Sequence, residues 1–148
     1  MIKAILLLLV AFNVYAYDPT KVALVQYNAD KTFLDYETHL QDLTNYALEA
    51  VSKGAKIIVF PEGSTYGYMA ADGSKFFCAS AGTTCVDVGG YAEMIPGGRT
   101  ANYWQEFAQE HQVYVVYNLP EKEANQYYNT SGVAGPEGFV GKYRKRNL

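Results

Sequence analysis

The stretch KIIVFPE, residues 56–62, decides the fold of this 148-residue chain. Ile57 to Phe60 form a short apolar run rich in β-branched side chains, which is typical of a buried strand, and Pro61 ends that run. Glu62 follows at once, so a carboxylate stands at the carboxyl end of the strand, where open α/β sheets bind their ligands. A solvated acid in a surface turn also fits this position, because a place in a fold does not establish chemistry.

The residues before this stretch predict a strand and a helix. Residues 21–27 are apolar on both alternating faces, as in a strand buried between two layers. Helical spacing relates the apolar side chains of the next segment, which are Tyr36, Leu40, Leu43, Ala47, Ala50 and Val51. Gly54 is placed to end this helix, and we expect His39 on its exposed side. Strand, helix and strand together indicate a βαβ unit with a right-handed crossover.

The residues after Glu62 predict an excursion followed by one helix and three strands. Residues 63–99 are rich in glycine and have few periodic apolar positions, so we expect a long loop there. Thr100 is a candidate cap for a helix whose apolar face includes Trp104. The strands expected after this helix are residues 113–118, 127–134 and 139–145, the last two joined by the turn Gly135-Pro136-Glu137-Gly138. The sequence contains no internal repeat or linker, so the chain is one domain or part of one.

Residues 1–16 have the pattern of a secretory signal peptide. A basic start precedes an apolar run from Ala4 to Phe12, and Val14-Tyr15-Ala16 supplies the small residues of a cleavage site. The run is shorter than the about 20 residues of a membrane span, so we expect no stable span, with an uncleaved anchor as the alternative. Residues 17–148 are therefore expected outside the cell or in the lumen of the endomembrane system.

The charge of the chain argues against nucleic acid as a partner. The formal net charge is −3 at pH 7, and such a mildly acidic chain lacks the basic surface that nucleic-acid binding needs. The dense basic stretch is Lys142 to Arg146. Within it Lys145, taken by itself, is a solvated lysine of a basic segment.

Cys78 and Cys85 are the two cysteines of the chain. In an exported protein, two cysteines so close together favour a disulfide, which would close a small loop and contribute about 2–3 kcal/mol. A reactive thiol is the alternative. Asn129-Thr130-Ser131 is a sequon, which makes Asn129 a candidate glycosylation site.

Two motifs and the pattern between them resemble the carbon–nitrogen hydrolase (nitrilase) superfamily. The motifs are Phe60-Pro61-Glu62 after the apolar strand and Gly141-Lys142-Tyr143-Arg144-Lys145 after the turn, with the strand Tyr127-Tyr128-Asn129-Thr130 between them. The resemblance implies an α/β fold, the N-terminal half of a four-layer α-β-β-α sandwich. Tyr66-Gly67-Tyr68 and Asn147-Leu148 look most like the biotinidase and vanin (pantetheinase) branch.

The family's catalytic set is Glu, Lys and Cys in that order, and the resemblance assigns the first two roles to Glu62 and Lys145. A cysteine thiolate attacks an amide or nitrile carbon, the glutamate moves the proton, and the lysine faces the developing oxyanion. The family nucleophile follows the lysine, so the resemblance implies that residues 17–148 are a partial domain lacking the C-terminal half with the nucleophile. Cys78 and Cys85 precede Lys145 and are not expected to take that role.

Such an enzyme hydrolyses carbon–nitrogen bonds other than peptide bonds and requires no metal or organic cofactor. Its expected partners are a small-molecule amide and, in the complete protein, a second copy of itself. The alternative is a catalytically inactive secreted binding protein with the same fold. The sequence that follows Leu148 separates the two, because a cysteine at a strand-to-helix turn favours the enzyme and a stop codon favours the binding protein.

Overall fold

The computed structural model describes residues 19–29, 35–67, 69–71, 76–79 and 85–146. In chain order its elements are β1 (Val22–Leu24), α1 (Tyr36–Ser52), β2 (Ile57–Val59), β3 (Met69–Ala71), β4 (Phe76–Ala79), β5 (Cys85–Asp87), α2 (Arg99–His111), β6 (Tyr114–Glu123), β7 (Gln126–Gly135) and β8 (Gly138–Arg144). A five-stranded sheet has the order β1-β2-β6-β7-β8, and β3-β4-β5 form a separate three-stranded sheet. The predicted signal peptide lies outside the described residues.

The predicted βαβ unit is present. Strand β1 pairs in parallel with β2, and β2 pairs in parallel with β6. Asp35 caps α1 by accepting a hydrogen bond from the Thr38 backbone N–H at 3.2 Å, and Gly54, with φ of +80°, follows its end. The core includes Leu43 on α1 and Ile58 on β2.

The expectation that His39 is exposed is wrong. Its relative exposure is 0%, and its Nδ1 lies 2.9 Å from the Tyr27 hydroxyl. The physical reason is helical periodicity: His39 lies one turn before Leu43 and therefore shares its buried face. A histidine at a core position is accommodated here because the Tyr27 hydroxyl gives its ring nitrogen a hydrogen-bond partner.

Helix α2 packs its predicted apolar face on the sheet, but its cap differs from the prediction. Trp104 is fully buried, with its ring 4.8 Å from that of Phe60. Gly98, not Thr100, is the cap residue. The side chain that caps the helix comes from outside it, since the Glu93 carboxylate accepts hydrogen bonds from the Thr100 N–H at 2.7 Å and the Thr100 hydroxyl at 2.6 Å.

The glycine-rich excursion contains strands that the sequence pattern did not predict. Strands β3, β4 and β5 are only three or four residues long, and they form an antiparallel sheet of their own. In this sheet Cys78 lies directly opposite Cys85. Residues opposite each other on antiparallel strands have Cα atoms about 4.5–5.5 Å apart, a separation that a disulfide can span. The disulfide itself stays a prediction.

Strand β6 is longer than predicted, and it continues through Pro120 to Glu123. A proline ordinarily argues against a central strand, because it cannot donate a ladder hydrogen bond. Here β2 ends at Val59, opposite Val116, so Pro120 lies beyond the part of β6 that pairs with β2. The predicted hairpin of β7 and β8 is confirmed, with an irregularity between Val133 and Ala134.

The five-stranded sheet has two unlike faces. The helix face packs against the core and includes Ala23, Ile58, Val115 and Tyr117. The opposite face, called the far face below, carries two cross-strand rows of apolar side chains, Val22-Ile57-Tyr114 and Leu24-Val59-Val116. Among the described residues, none of the helices has the length and apolar character needed to cross a membrane.

Candidate active site

Glu62 and Lys145 meet at the carboxyl end of β2. The Lys145 ammonium donates to Glu62 Oε1 at 2.9 Å, across 83 positions of sequence. The side-chain amide of Asn129 donates to the same oxygen at 2.6 Å. One carboxylate oxygen therefore accepts hydrogen bonds from a cation and from a neutral amide.

The turn after β2 holds Glu62 in place through buried Asn118. Gly63 has φ of +72°, a left-handed conformation that glycine adopts without strain, and its N–H donates to Asn118 Oδ1 at 2.8 Å. The Thr65 hydroxyl donates to the Asn118 backbone carbonyl at 2.6 Å. The backbone on the C-terminal side of Glu62 is thus fastened to strand β6.

The hairpin of β7 and β8 brings Lys145 to the same place. Lys145 follows the last residue of β8, and its backbone N–H donates to the Asn129 carbonyl at 2.8 Å. Asn129 and Lys145 are therefore cross-strand neighbours, so their side chains lie on the same face of the sheet. Both side chains reach the Glu62 carboxylate.

The pair formed by Glu62 and Lys145 contributes little to stability. The side chains are 40% and 39% exposed, respectively. Ion pairs with this much solvent contact contribute about 0–1 kcal/mol. The carboxylate and the ammonium group lie at the carboxyl ends of β2 and β8, half open to solvent, at the edge where open α/β sheets bind their ligands.

Glu121 forms a second acid cluster, on the helix face, and it is 1% exposed. Arg144 donates to both its oxygens, at 2.7 and 2.8 Å, Thr130 donates at 2.8 Å, and Lys142 forms a close ion pair with it. Burial acts to raise the pKa of the Glu121 carboxyl, but the hydrogen bonds from Arg144, Lys142 and Thr130 outweigh it and lower the pKa to about 2. Glu121 is therefore a charged, fully paired anchor for the hairpin.

Glu93 links the turn that follows Glu62 to helix α2. Besides capping α2 through Thr100, its carboxylate accepts a hydrogen bond from the Tyr66 hydroxyl at 3.2 Å. Burial, and next the negative charge of Glu93, raise the pKa of the Tyr66 phenol above its ordinary value. Tyr66 is therefore a neutral donor that ties the turn to the rest of the fold.

The structure separates the predicted site residues into two groups. It brings together Glu62 and Lys145, together with Asn129, whose side chain faces the carboxylate. It places Cys78 and Cys85 in the separate small sheet. The catalytic roles, the disulfide and the glycosylation stay predictions.

Sequence reasoning missed Asn118, Glu121 and Glu93. Two signals were available for the first two. Asn118 is a polar residue between Tyr117 and Leu119 in an otherwise apolar strand, and Pro120-Glu121 repeats the dipeptide Pro61-Glu62 that follows the neighbouring strand β2. For Glu93, which caps α2 from a loop, the sequence carries no comparable signal.

In the described part of the chain, no group of three or more His, Cys, Asp or Glu side chains is arranged to hold a metal ion. The chemistry available at the site is that of a carboxylate, an ammonium group and two carboxamides. This set can accept and donate a proton and can stabilise a developing negative charge.

Comparisons of sequence find relatives over most of the chain. A family model described as carbon-nitrogen hydrolase matches residues 21–148. The chain is 32% identical over 128 residues to a nitrilase of Pyrococcus abyssi, covering 86% of this chain and 44% of that relative. It is 36% identical over 106 residues to omega-amidase NIT2 of Homo sapiens, covering 70% of this chain and 33% of that relative. The chain thus spans less than half the length of these two relatives.

Comparisons of structure agree with the comparisons of sequence. A crystal structure of N-terminal amidase with a Gln-Val peptide matches with a TM-score of 0.66 at 24% identity, covering 87% of this chain and 28% of that one. Nit3 of Saccharomyces cerevisiae, a member of branch 10 of the nitrilase superfamily, matches with a TM-score of 0.65 at 23% identity, covering 85% and 44%. These matches confirm the predicted α/β fold class.

The names of these relatives, nitrilase and omega-amidase, do not specify the biotinidase and vanin branch that Tyr66-Gly67-Tyr68 suggested. They agree on the broader group, and the family model covers every described element from β1 to β8. The chain belongs to the carbon-nitrogen hydrolase family.

Proposed function

We propose that the complete protein hydrolyses the carbon–nitrogen bond of a small linear amide, with Glu62 and Lys145 as two of its three catalytic residues. The observation that carries the proposal is the contact of the Lys145 ammonium with Glu62 at the carboxyl end of β2. The third residue is a cysteine supplied by sequence outside this chain. Membership of the family supports this reaction class.

The proposed reaction runs in two halves. Glu62 accepts the thiol proton while the sulfur attacks the amide carbon, and the carbonyl oxygen becomes an oxyanion beside the Lys145 ammonium. As the carbon–nitrogen bond breaks, Glu62 passes the proton to the departing nitrogen and a thioester remains. Water, losing its proton to Glu62, then attacks the thioester. The departing thiolate takes that proton to restore the thiol, and a carboxylic acid leaves.

The substrate is proposed to be an amide of a small molecule, with two subclasses that kinetics can separate. The relative named omega-amidase NIT2 favours an ω-amide. The sequence Tyr66-Gly67-Tyr68 favours the secondary amides that biotinidases and pantetheinases cleave. Comparing kcat/KM for a primary ω-amide with that for biocytin and pantetheine decides between them.

The experiment is to express the full reading frame that contains this chain and to assay release of ammonia or amine from these amides. Activity that disappears when the first cysteine after Leu148 at a strand-to-helix turn is changed to alanine supports the proposal. A supported stop codon directly after Leu148, or a folded product inactive on all three amides, overturns it. Either outcome would favour an inactive binding protein with this fold.

We further propose that the protein is exported, on the basis of the signal-peptide pattern in residues 1–16. Expression in cultured eukaryotic cells, followed by amino-terminal sequencing of the medium fraction, checks this. A mature chain that begins at Tyr17 is the expected result. Retention in the cytosol with Met1 intact would contradict it.

A further inference from the structure

We propose that Asn129, held in one orientation by Asn118, is a positioning residue that fixes which oxygen of Glu62 acts as the base. This inference rests on the proposed function. It concerns two residues whose hydrogen bonds lead to the site through the Glu62 carboxylate.

The two oxygens of Glu62 have different surroundings. Oε1 accepts from Lys145 at 2.9 Å and from Asn129 at 2.6 Å. Among the described residues, none donates a hydrogen bond to Oε2. A carboxylate oxygen that already accepts two donors is a poor proton acceptor, because its lone pairs are engaged, whereas Oε2 keeps its lone pairs for the substrate side. The geometry therefore makes Oε1 the held oxygen and Oε2 the base.

The orientation of the two carboxamides follows from one unambiguous donor. The Gly63 backbone N–H can only donate, so the Asn118 atom 2.8 Å from it is the carbonyl oxygen Oδ1. The Asn118 nitrogen then faces Asn129 Oδ1 at 2.8 Å and the Thr130 carbonyl at 3.1 Å. Because Asn129 uses its oxygen for Asn118, its nitrogen is left to donate to Glu62. Gly63 thus donates to Asn118, Asn118 donates to Asn129, and Asn129 donates to Glu62.

A role in pairing the strands does not account for these contacts. Strands β6 and β7 are already joined by their backbone register from Val115 to Glu123. The Asn129 side chain instead reaches across to a carboxylate that is 40% exposed, where solvent screening keeps the contribution of one more hydrogen bond to folding small. The hydrogen bond from Asn129 instead fixes the orientation of the Glu62 carboxylate, and a group that transfers a proton must be correctly oriented.

This role conflicts with glycosylation at the same residue. An N-linked glycan attaches to the Asn129 side-chain nitrogen, the atom that donates to Glu62. A glycan there would replace one hydrogen and occupy the space in front of the carboxylate. Active enzyme is therefore expected to carry an unmodified Asn129, although Asn129-Thr130-Ser131 is a sequon.

The first test uses the complete protein and needs no activity. In ¹H–¹⁵N spectra of the side-chain amides, Glu62→Gln is expected to shift the Asn129 NH₂ signals, and Asn118→Leu is expected to broaden or move them. Asn125→Asp, an exposed position in the turn between β6 and β7, is the matched control and should leave them in place. Asn129 signals with the averaged shift of a solvated amide in the unaltered chain would overturn the proposal.

The second test uses the complete enzyme. Asn129→Asp keeps the shape but sets an oxygen against Glu62 Oε1, and Asn129→Ala removes the donor without adding charge. Each is expected to lower kcat by about 10- to 100-fold while KM changes by less than about threefold, since a misdirected catalytic group costs rate rather than ground-state binding. Asn125→Asp should keep full kcat.

The outcomes separate the two proposals. If the unaltered enzyme is inactive on amides but the Asn129 signals respond to Glu62→Gln, the proposed function fails and the geometry stands. If the enzyme is active and both Asn129 variants keep kcat within about twofold, the positioning role is overturned. An equal loss in kcat from Asn125→Asp would also overturn it, because the effect would then be one of charge or folding.

Discussion

Glu62 and Glu121 show how the same residue type serves two purposes in one sheet. Glu62 is 40% exposed and has two donors on one oxygen, whereas Glu121 is 1% exposed and has donors on both oxygens. A buried acid whose lone pairs are all engaged cannot exchange protons with a ligand. We therefore propose the half-open Glu62 as the chemical acid, whereas the buried Glu121 is a structural acid.

The first prediction concerns the chemical acid and its cation. In the complete enzyme, Glu62→Gln and Lys145→Ala are each expected to lower kcat by at least about 10²-fold, because they remove the proton carrier and the oxyanion partner. Steady-state kinetics with an ω-amide measures this. The free energy of unfolding should change by less than about 1 kcal/mol, as expected for a partly exposed pair. A kcat near that of the unaltered enzyme in either variant would contradict the assignment.

The second prediction concerns the structural acid. Glu121→Gln is expected to destabilise the fold by about 3–5 kcal/mol in urea unfolding, because it leaves Arg144 and Lys142 without their buried partner. Glu123→Gln is the matched control. Glu123 also pairs with Arg144 and Lys142, but it is 59% exposed, so its loss should cost less than about 1 kcal/mol. Equal costs for the two variants would contradict the contrast.

The contribution of Glu121 to the stability of the fold decreases as the pH falls. The pKa of its carboxyl is lowered from 4.5 to about 2 on folding, so its contribution is complete above pH 4.5 and is lost as the pH falls towards 2. The difference corresponds to about 3 kcal/mol. The gap in unfolding free energy between the unaltered chain and Glu121→Gln should therefore narrow from pH 7 to pH 2. A gap that stays constant would contradict this.

At the scale of elements, the sequence predicted what local patterns determine. Helix α1 and the hairpin of β7 and β8 were predicted within about two residues, because amphipathic period, Gly54 and the turn at 135–138 are local signals. The family resemblance assigned Glu62 and Lys145 to one catalytic set, and the structure brings the two side chains together. The caps and anchors were not, since Glu93 and Glu121 find their partners across the fold.

The third prediction concerns the close approach of β6 and β7. A Cβ added at Gly132 would lie 2.5 Å from the Tyr117 hydroxyl oxygen, and Tyr117 is buried. Gly132→Ala is therefore expected to cost about 1–3 kcal/mol in urea unfolding, as overpacked substitutions do. Gly141→Ala on β8 is the control, since its added Cβ meets no atom within 4 Å among the described residues other than its chain neighbours. A Gly132→Ala chain as stable as the control would contradict the packing.

The fourth prediction concerns the small sheet of β3, β4 and β5. Because Cys78 lies opposite Cys85, we expect a disulfide between these strands in protein made under oxidising conditions. Mass spectrometry of the unreduced protein after alkylation should show neither thiol modified. Two alkylated cysteines in secreted protein would rule the disulfide out.

At the scale of the whole molecule, the far face exposes apolar side chains to solvent. Leu24 is 75% exposed, and Val22 and Tyr114 are also exposed. These side chains form cross-strand rows on three strands, and β1 is an edge of the sheet. An apolar sheet face of this kind needs a second layer to cover it. Without such a layer, we expect the chain to associate with other copies through this face.

The fifth prediction follows from that surface. Residues 17–148 purified alone are expected to associate and to be inactive on amides. Size-exclusion chromatography with light scattering measures the mass, and Leu24→Glu should reduce association by adding charge to the apolar row. Tyr46→Glu, an exposed aromatic residue on α1, is the control and should not reduce it. A sharp monomer with cooperative unfolding would show that this segment is a self-sufficient domain.

The irregularity in β8 has a consequence for how the gene can change. Ala134 pairs with Phe139 and Val133 pairs with Gly141, so Val140 is an extra residue that bulges from the strand. Deleting the Val140 codon would dissolve the bulge and keep Lys145 opposite Asn129. Inserting a codon after Val140 would bring Arg144 into that position instead and offer Glu62 a guanidinium. Natural variants of this hairpin should therefore tolerate the loss of one codon far better than the gain of one.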